Sequence, residues 1–301
     1  MQTLIVLDGG MGRELSRRGA PFQQPEWSAL ALMQKPSCVQ DVHEDFIKSG
    51  AQVITTNSYA LVPFHIGQER FQSQGPDLIK LSGQLAKQAV QNTKDDIDHK
   101  VKIAASIPPV FGSYRADLFK TKQAHLIAQP LIDGLAPYVD FWLFETQSTV
   151  QEPQTIFPLL PADGKERWVS FTLFDEEKTN VPKLRSGETV AFAITELLKL
   201  DVAAVLFNCS QPEVISQALE VAQNIITAQG LNVRTGAYAN AFQPQKENAQ
   251  ANDEIDEIRA DLGTQQYLEW AQKWRTMGAS IIGGCCGIGP EYIKVLSTQL
   301  K

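Results

Sequence analysis

The 301-residue chain has no apolar run approaching the about 18 residues that a bilayer-spanning helix needs. Its start lacks the shape of a signal peptide: only 4–7 are continuously apolar before Asp8, and no basic residue precedes them. A cytoplasmic protein with no membrane partner is expected. Basic charge is also scarce, with 27 Lys and Arg against 34 Asp and Glu and a formal net charge of -7. That excludes the basic stripe of a nucleic-acid binder and disfavours an anionic lipid surface. Four cysteines are too few for a disulfide scaffold at this length. In a reducing compartment, clustered cysteines read as metal ligands or reactive thiols.

Other absences narrow the chemistry. The four histidines (His43, His65, His99, His125) show no metal-binding spacing, and His43 falls on an apolar helix face, as a core residue does. Ser106 and Ser210 lack nucleophile-elbow glycines, which excludes serine-hydrolase chemistry. The stretch 9–12 matches neither a dinucleotide fingerprint nor a P-loop. No internal repeat and no linker divides the chain, so residues 1–301 read as one domain.

Eight strand-like runs are present: 4–7, 53–56, 101–105, 141–144, 168–173, 203–207, 234–238 and 280–282. They are near-continuously apolar, as parallel strands covered on both faces must be. Helical patterns lie between them. Ser37 with Gln40 reads as a capping box, Val39, Val42, Phe46 and Ile47 share one face, and Gly50 is a stop. Pro212 and Pro290 open further helices, and others are expected near 78–92, 123–136, 189–199 and 264–275. Pro153 and Pro158 limit 151–160 to a turn or two. This alternation predicts an α/β fold, a (β/α)8 TIM barrel rather than an open doubly wound sheet. The polar, acidic stretch 243–261 comes after the seventh strand, so it belongs on the C-terminal rim as a solvated loop carrying a helix, or as a lid.

Three cysteines fall at strand ends: Cys209 after the sixth, and Cys285 with Cys286 after the eighth. In a barrel, the C-terminal strand ends build the active site. Adjacent residues of an extended strand point to opposite faces, so Cys285 and Cys286 share one ligand only if the strand has ended or bent. Gly283, Gly284 and Gly287 permit that bend, although two small residues in a buried turn would look the same. Three thiolates suit Zn²⁺ and leave a fourth tetrahedral position open, the catalytic pattern. Their charges sum with the ion's to about minus one, which keeps an added thiolate electron-rich. Cys38, in a helix's first turn, reads as packing. Asp8 and Glu145 end strands one and four, where they can hold an ammonium group or merely cap a helix.

Together these elements resemble the homocysteine S-methyltransferase family, nearly end to end. The resemblance rests on Leu7-Asp8-Gly9-Gly10-Met11-Gly12-Arg13-Glu14-Leu15, Thr55-Thr56-Asn57-Ser58-Tyr59, Phe144-Glu145-Thr146, Asn208-Cys209-Ser210 and Gly283-Gly284-Cys285-Cys286-Gly287. It implies a (β/α)8 barrel in which zinc is held by Cys209, Cys285 and Cys286 and completed by the homocysteine sulfur. It further implies that Asp8, Gly9, Gly10 and Glu145 contact the amino-acid end of homocysteine. Asn208 would support its cysteine, Tyr59 would lie near the methyl-transfer region, and methionine would be the product. Family donors are S-methylmethionine, S-adenosylmethionine, betaine and methylated folate. S-methylmethionine is expected first and S-adenosylmethionine second. The folate enzymes carry extra modules, and betaine wants an aromatic cage, for which Tyr59, Phe64 and Phe242 are available. Related enzymes using sulfonium donors often show a proline before the asparagine of Tyr238-Ala239-Asn240-Ala241-Phe242, and this chain does not. Another thiol or selenol acceptor, or a non-catalytic zinc-binding homologue, is the alternative.

Overall fold

The eight apolar runs form eight parallel strands: β1 (Ile5–Val6), β2 (Val53–Thr55), β3 (Lys102–Ile107), β4 (Phe141–Gln147), β5 (Arg167–Phe171), β6 (Ala204–Asn208), β7 (Arg234–Tyr238) and β8 (Ile281–Ile282). The structure is a computed structural model that describes residues 2–175, 181–243 and 258–300. From β2 to β8 each strand pairs with the next in sequence, and β1 pairs with β8. The ring closes between β1 and β2 by a parallel bridge from Leu7 to Val53, with Asp8 N–H donating to the Val53 carbonyl at 2.9 Å. That closure decides for the barrel over the open sheet.

Helices cover the outside: α1 (Met11–Arg17), α2 (Ser28–Gln34), α3 (Pro36–Lys48), α4 (Pro63–Ile66), α5 (Gln68–Thr93), α6 (Ala124–Leu135), α7 (Gln151–Ile156), α8 (Val190–Leu197), α9 (Pro212–Ala228), α10 (Thr264–Thr276) and α11 (Pro290–Gln299). Ser37 is not the cap expected of it. Helix α3 already begins at Pro36, its N-cap is Lys35, and no side chain caps it. Proline fixes φ at a value suited to a first helical turn, so the cap and the start both lie two residues earlier than expected. Helix α5 begins ten residues before the expected 78 and runs through Pro76. Phe71, Leu78 and Ile79 are all buried, and that packing outweighs the hydrogen bond that proline removes.

Two apolar layers result. Leu7, Val53, Phe141, Leu143, Trp168 and Leu206 belong to the cluster that fills the barrel interior. The larger cluster lies between strands and helices and takes in Phe46, Leu131, Phe207 and Ile293. Cys38 and Phe144 are buried there, as expected of packing residues. His43 is fully buried as well. Most of the acidic stretch 243–261 lies outside the described residues. At its ends, Phe242 bridges Ile258 and the Arg259 N–H donates to the Ala241 carbonyl at 2.7 Å. Among the described residues, no helix is long and apolar enough to cross a membrane.

Candidate metal centre and active site

The ladder of β8 ends at Ile282, and beyond it the chain turns a corner. Cys285 N–H donates to the Ala239 carbonyl at 2.9 Å, and the Cys286 carbonyl accepts from Ala241 N–H at 2.9 Å. Ile288 N–H closes a turn onto the Cys285 carbonyl at 3.1 Å. Gly287 is the third residue of that turn, with φ +84°, a conformation that side chains with a Cβ resist. Both vicinal sulfurs are thereby released from strand alternation. Cys209, directly after β6, has φ +49°, a sparsely populated conformation for a non-glycine residue.

The three Sγ atoms lie within 4.8 Å of one another, and Cys209 Sγ stands 3.9 Å from Cys286 Sγ. A tetrahedral ion with metal–sulfur bonds of about 2.3 Å needs sulfurs about 3.8 Å apart. The thiols therefore fit a zinc-sized soft ion with little movement. Close packing fixes the corner from the other side. A Cβ on Gly10 would lie 2.6 Å from the Cys285 carbonyl oxygen, so the first and last strand ends meet only through glycine.

Polar neighbours hold the frame. Asn208 Nδ2 donates to Thr146 Oγ1 at 2.8 Å and faces Cys285 Sγ at 3.9 Å, while its Oδ1 accepts from Ser170 Oγ at 2.7 Å and from Thr146 N–H at 3.0 Å. Asn208 stands behind the thiols. Asp8 accepts from Thr55 N–H at 2.7 Å and Thr55 Oγ1 at 3.2 Å, and Glu145 accepts from Ser106 Oγ. Burial raises the Asp8 carboxyl to about 8 and the Glu145 carboxyl to about 7. Hydrogen bonding to Cys209 and Cys286, then burial, pushes the Cys285 thiol well above its usual range. Three crowded thiols favour a bound cation for that reason.

Asp8, Gly9, Gly10, Tyr59 and Glu145 line one cavity with the three cysteines. Its free volume is about 160 Å³, far beyond the ~10–15 Å³ that one water requires, so it has room for a small organic molecule. The Gly10 N–H donates to the Ile288 carbonyl at 2.9 Å, so this glycine contributes close approach rather than an open donor. Phe64 does not line the cavity. Its ring packs against Gly112 and, edge-on, against His65. Tyr59 and Phe242 do line it, and Phe22 and Trp27 complete the aromatic wall. Sequence reasoning missed Thr55, Ser106, Tyr114 and Tyr238. Tyr114 has φ +66°, lines the cavity, and its ring carries the Arg185 guanidinium at 5.1 Å.

A family model described as homocysteine S-methyltransferase matches residues 5–300. The chain belongs to the homocysteine S-methyltransferase family. The family's homocysteine S-methyltransferase 1 from Brassica oleracea var. italica is 28% identical, with 98% of this chain and 93% of that one aligned. A selenocysteine Se-methyltransferase from the same plant is 26% identical over 98% of this chain and 88% of its own. The crystal structure of the homocysteine methyltransferase MmuM from Escherichia coli, in its metallated form, superposes with a TM-score of 0.79. It is 25% identical and covers 99% of this chain and 96% of its own. Two members of this family thus differ in acceptor, one named for a thiol and one for a selenol.

Proposed function

We propose that this enzyme transfers a methyl group from a sulfonium donor to homocysteine and releases methionine, with S-methylmethionine the first donor and S-adenosylmethionine the second. The observation that carries the reading is the set of three thiols within 4.8 Å, beside the Asp8 and Glu145 carboxylates in one cavity. Cys209, Cys285 and Cys286 would hold zinc, which would supply the Lewis acidity needed to ionise an acceptor thiol near neutral pH. The metallated form of the MmuM structure supports a metal here, and the all-sulfur donor set favours zinc.

The remaining chemistry belongs to the chain. Asp8 and Glu145 hold the α-ammonium group of homocysteine, and its charge draws both carboxyls back to the ionised form. Thr55 and Ser106 fix the two carboxylates by hydrogen bonds. Asn208 holds the Thr146 backbone and Cys285 in register, and Tyr59, tied to Ser113, borders the space for the methyl group. Catalysis is chiefly positioning: nucleophile and methyl carbon are held in line at near-attack distance. All of residues 1–301 serve this one barrel site. A selenol acceptor is the second reading, supported by the selenocysteine Se-methyltransferase relative. The test measures methionine formation from homocysteine with S-methylmethionine, S-adenosylmethionine and betaine in parallel, and repeats the best donor with selenocysteine. Turnover on a sulfonium donor is expected. Turnover on betaine alone, or on no donor, contradicts the reading.

A further inference from the structure

Charge around the cavity is arranged with opposite signs on different elements. Asp8, Glu145 and the three thiols bring the acidic groups. Among the described residues lining the cavity, the one permanently cationic side chain is Arg13, on α1. Three residues before it, Gly10 packs on the Cys285 carbonyl. That places Arg13 about 4.5 Å further along the helix axis from the thiol corner. Between them, Gly12 packs on the Phe22 ring, and the Arg13 guanidinium carbon stands 5.1 Å from the Phe242 ring centroid. The first turn of α1 therefore runs from the metal corner to an aromatic wall with a cation over it. A guanidinium stacked on a ring bonds carboxylates through the edge of its fork, two N–H groups at a time.

Building on the methyl-transfer reading, we propose that Arg13 binds the carboxylate of the methyl donor and so selects zwitterionic sulfonium donors. A donor must bring its cationic methyl-bearing centre to the acidic corner, and an anionic arm a few bonds away then falls toward Arg13. The arrangement orients such a donor methyl-first, and a cation with no anionic arm gains only the attraction of the corner.

The test compares S-methylmethionine with its carboxamide, in which a neutral amide replaces the carboxylate, using zinc-loaded enzyme and saturating homocysteine. Wild type is expected to prefer the carboxylate form in kcat/KM. In Arg13→Gln that preference falls about tenfold or more, the cost of one charge-assisted hydrogen bond. Arg13→Lys, which keeps the charge and loses the fork, recovers part of it and serves as the test should the glutamine variant not fold. An unchanged preference in a folded, zinc-loaded variant overturns the assignment of Arg13. Absence of methyl transfer from either compound by wild type overturns the underlying reaction, and the role of Arg13 with it.

Discussion

At the scale of single residues, the site divides into three thiols close enough to share a cation and two carboxyls that burial pushes toward the neutral form. Asp8 and Glu145 are pushed up by burial, so each is ionised mainly when a positive group lies beside it. Glu145→Gln keeps the shape and the Ser106 contact but removes the charge. We expect KM for homocysteine to rise about tenfold or more, with zinc content unchanged. Steady-state kinetics with metal analysis checks this, and an unaltered KM would place the ammonium group elsewhere. The place of Glu145 in the cavity was legible in the sequence because it stands at a barrel strand end. The contacts of Thr55 and Ser106 with the carboxylates were not, because a hydroxyl on a strand looks the same whether it bonds a carboxylate or the backbone.

Among elements, one contact decides how the thiol corner is held. The turn after β8 touches the segment after β1 through Gly10. Gly10→Ala brings a Cβ to 2.6 Å from the Cys285 carbonyl oxygen and 3.1 Å from Cys286 Cα, both backbone atoms, so the thiol corner must shift. We expect at least tenfold weaker zinc affinity with the fold retained, measured by competition with a chromophoric chelator. Equal affinity would show that the corner absorbs the methyl group. The glycines themselves were legible in sequence. Which strand end each one met was not, because that depends on ring closure.

Helix α3 carries a second, independent prediction. Among the described residues, neither ring nitrogen of His43 has a hydrogen-bond partner in its fully buried setting, and burial lowers its pKa to about 4. The unfolded imidazole titrates near 6.5, so between about pH 6.5 and 4 the unfolded chain binds the extra proton. Stability contributed at this position is therefore complete above pH 6.5 and is lost as pH falls toward 4. His43→Leu removes that term. Relative to wild type it should gain up to ~2 kcal/mol more at pH 5 than at pH 7.5. Melting temperatures at the two pH values check the difference, and an equal change at both would mean that His43 does not titrate on unfolding. The apolar face of α3 was readable from periodicity alone, including the burial of His43.

For the whole molecule, the barrel was legible because parallel strands covered on both faces leave continuous apolar runs, and eight recur between helices. Strand ends were less so. β1 and β8 keep only two ladder residues each, because the chain leaves the sheet there to build the site. The convergence of Cys209 with Cys285 and Cys286 could be anticipated from the near neighbourhood of strands six and eight around a ring. The cation at the aromatic wall could not, since nothing in the sequence sets the Arg13 side chain over Phe242, which lies far along the chain. The measurement that bears most directly on the function is zinc per chain, taken together with homocysteine-dependent methionine formation, in wild type and in Cys286→Ala. About one zinc per wild-type chain with turnover on S-methylmethionine is expected, with both lost in the variant and the wild-type activity lost on chelation and restored by zinc. Full turnover by metal-free enzyme, or by Cys286→Ala, would contradict a thiol-held metal as the centre of the reaction.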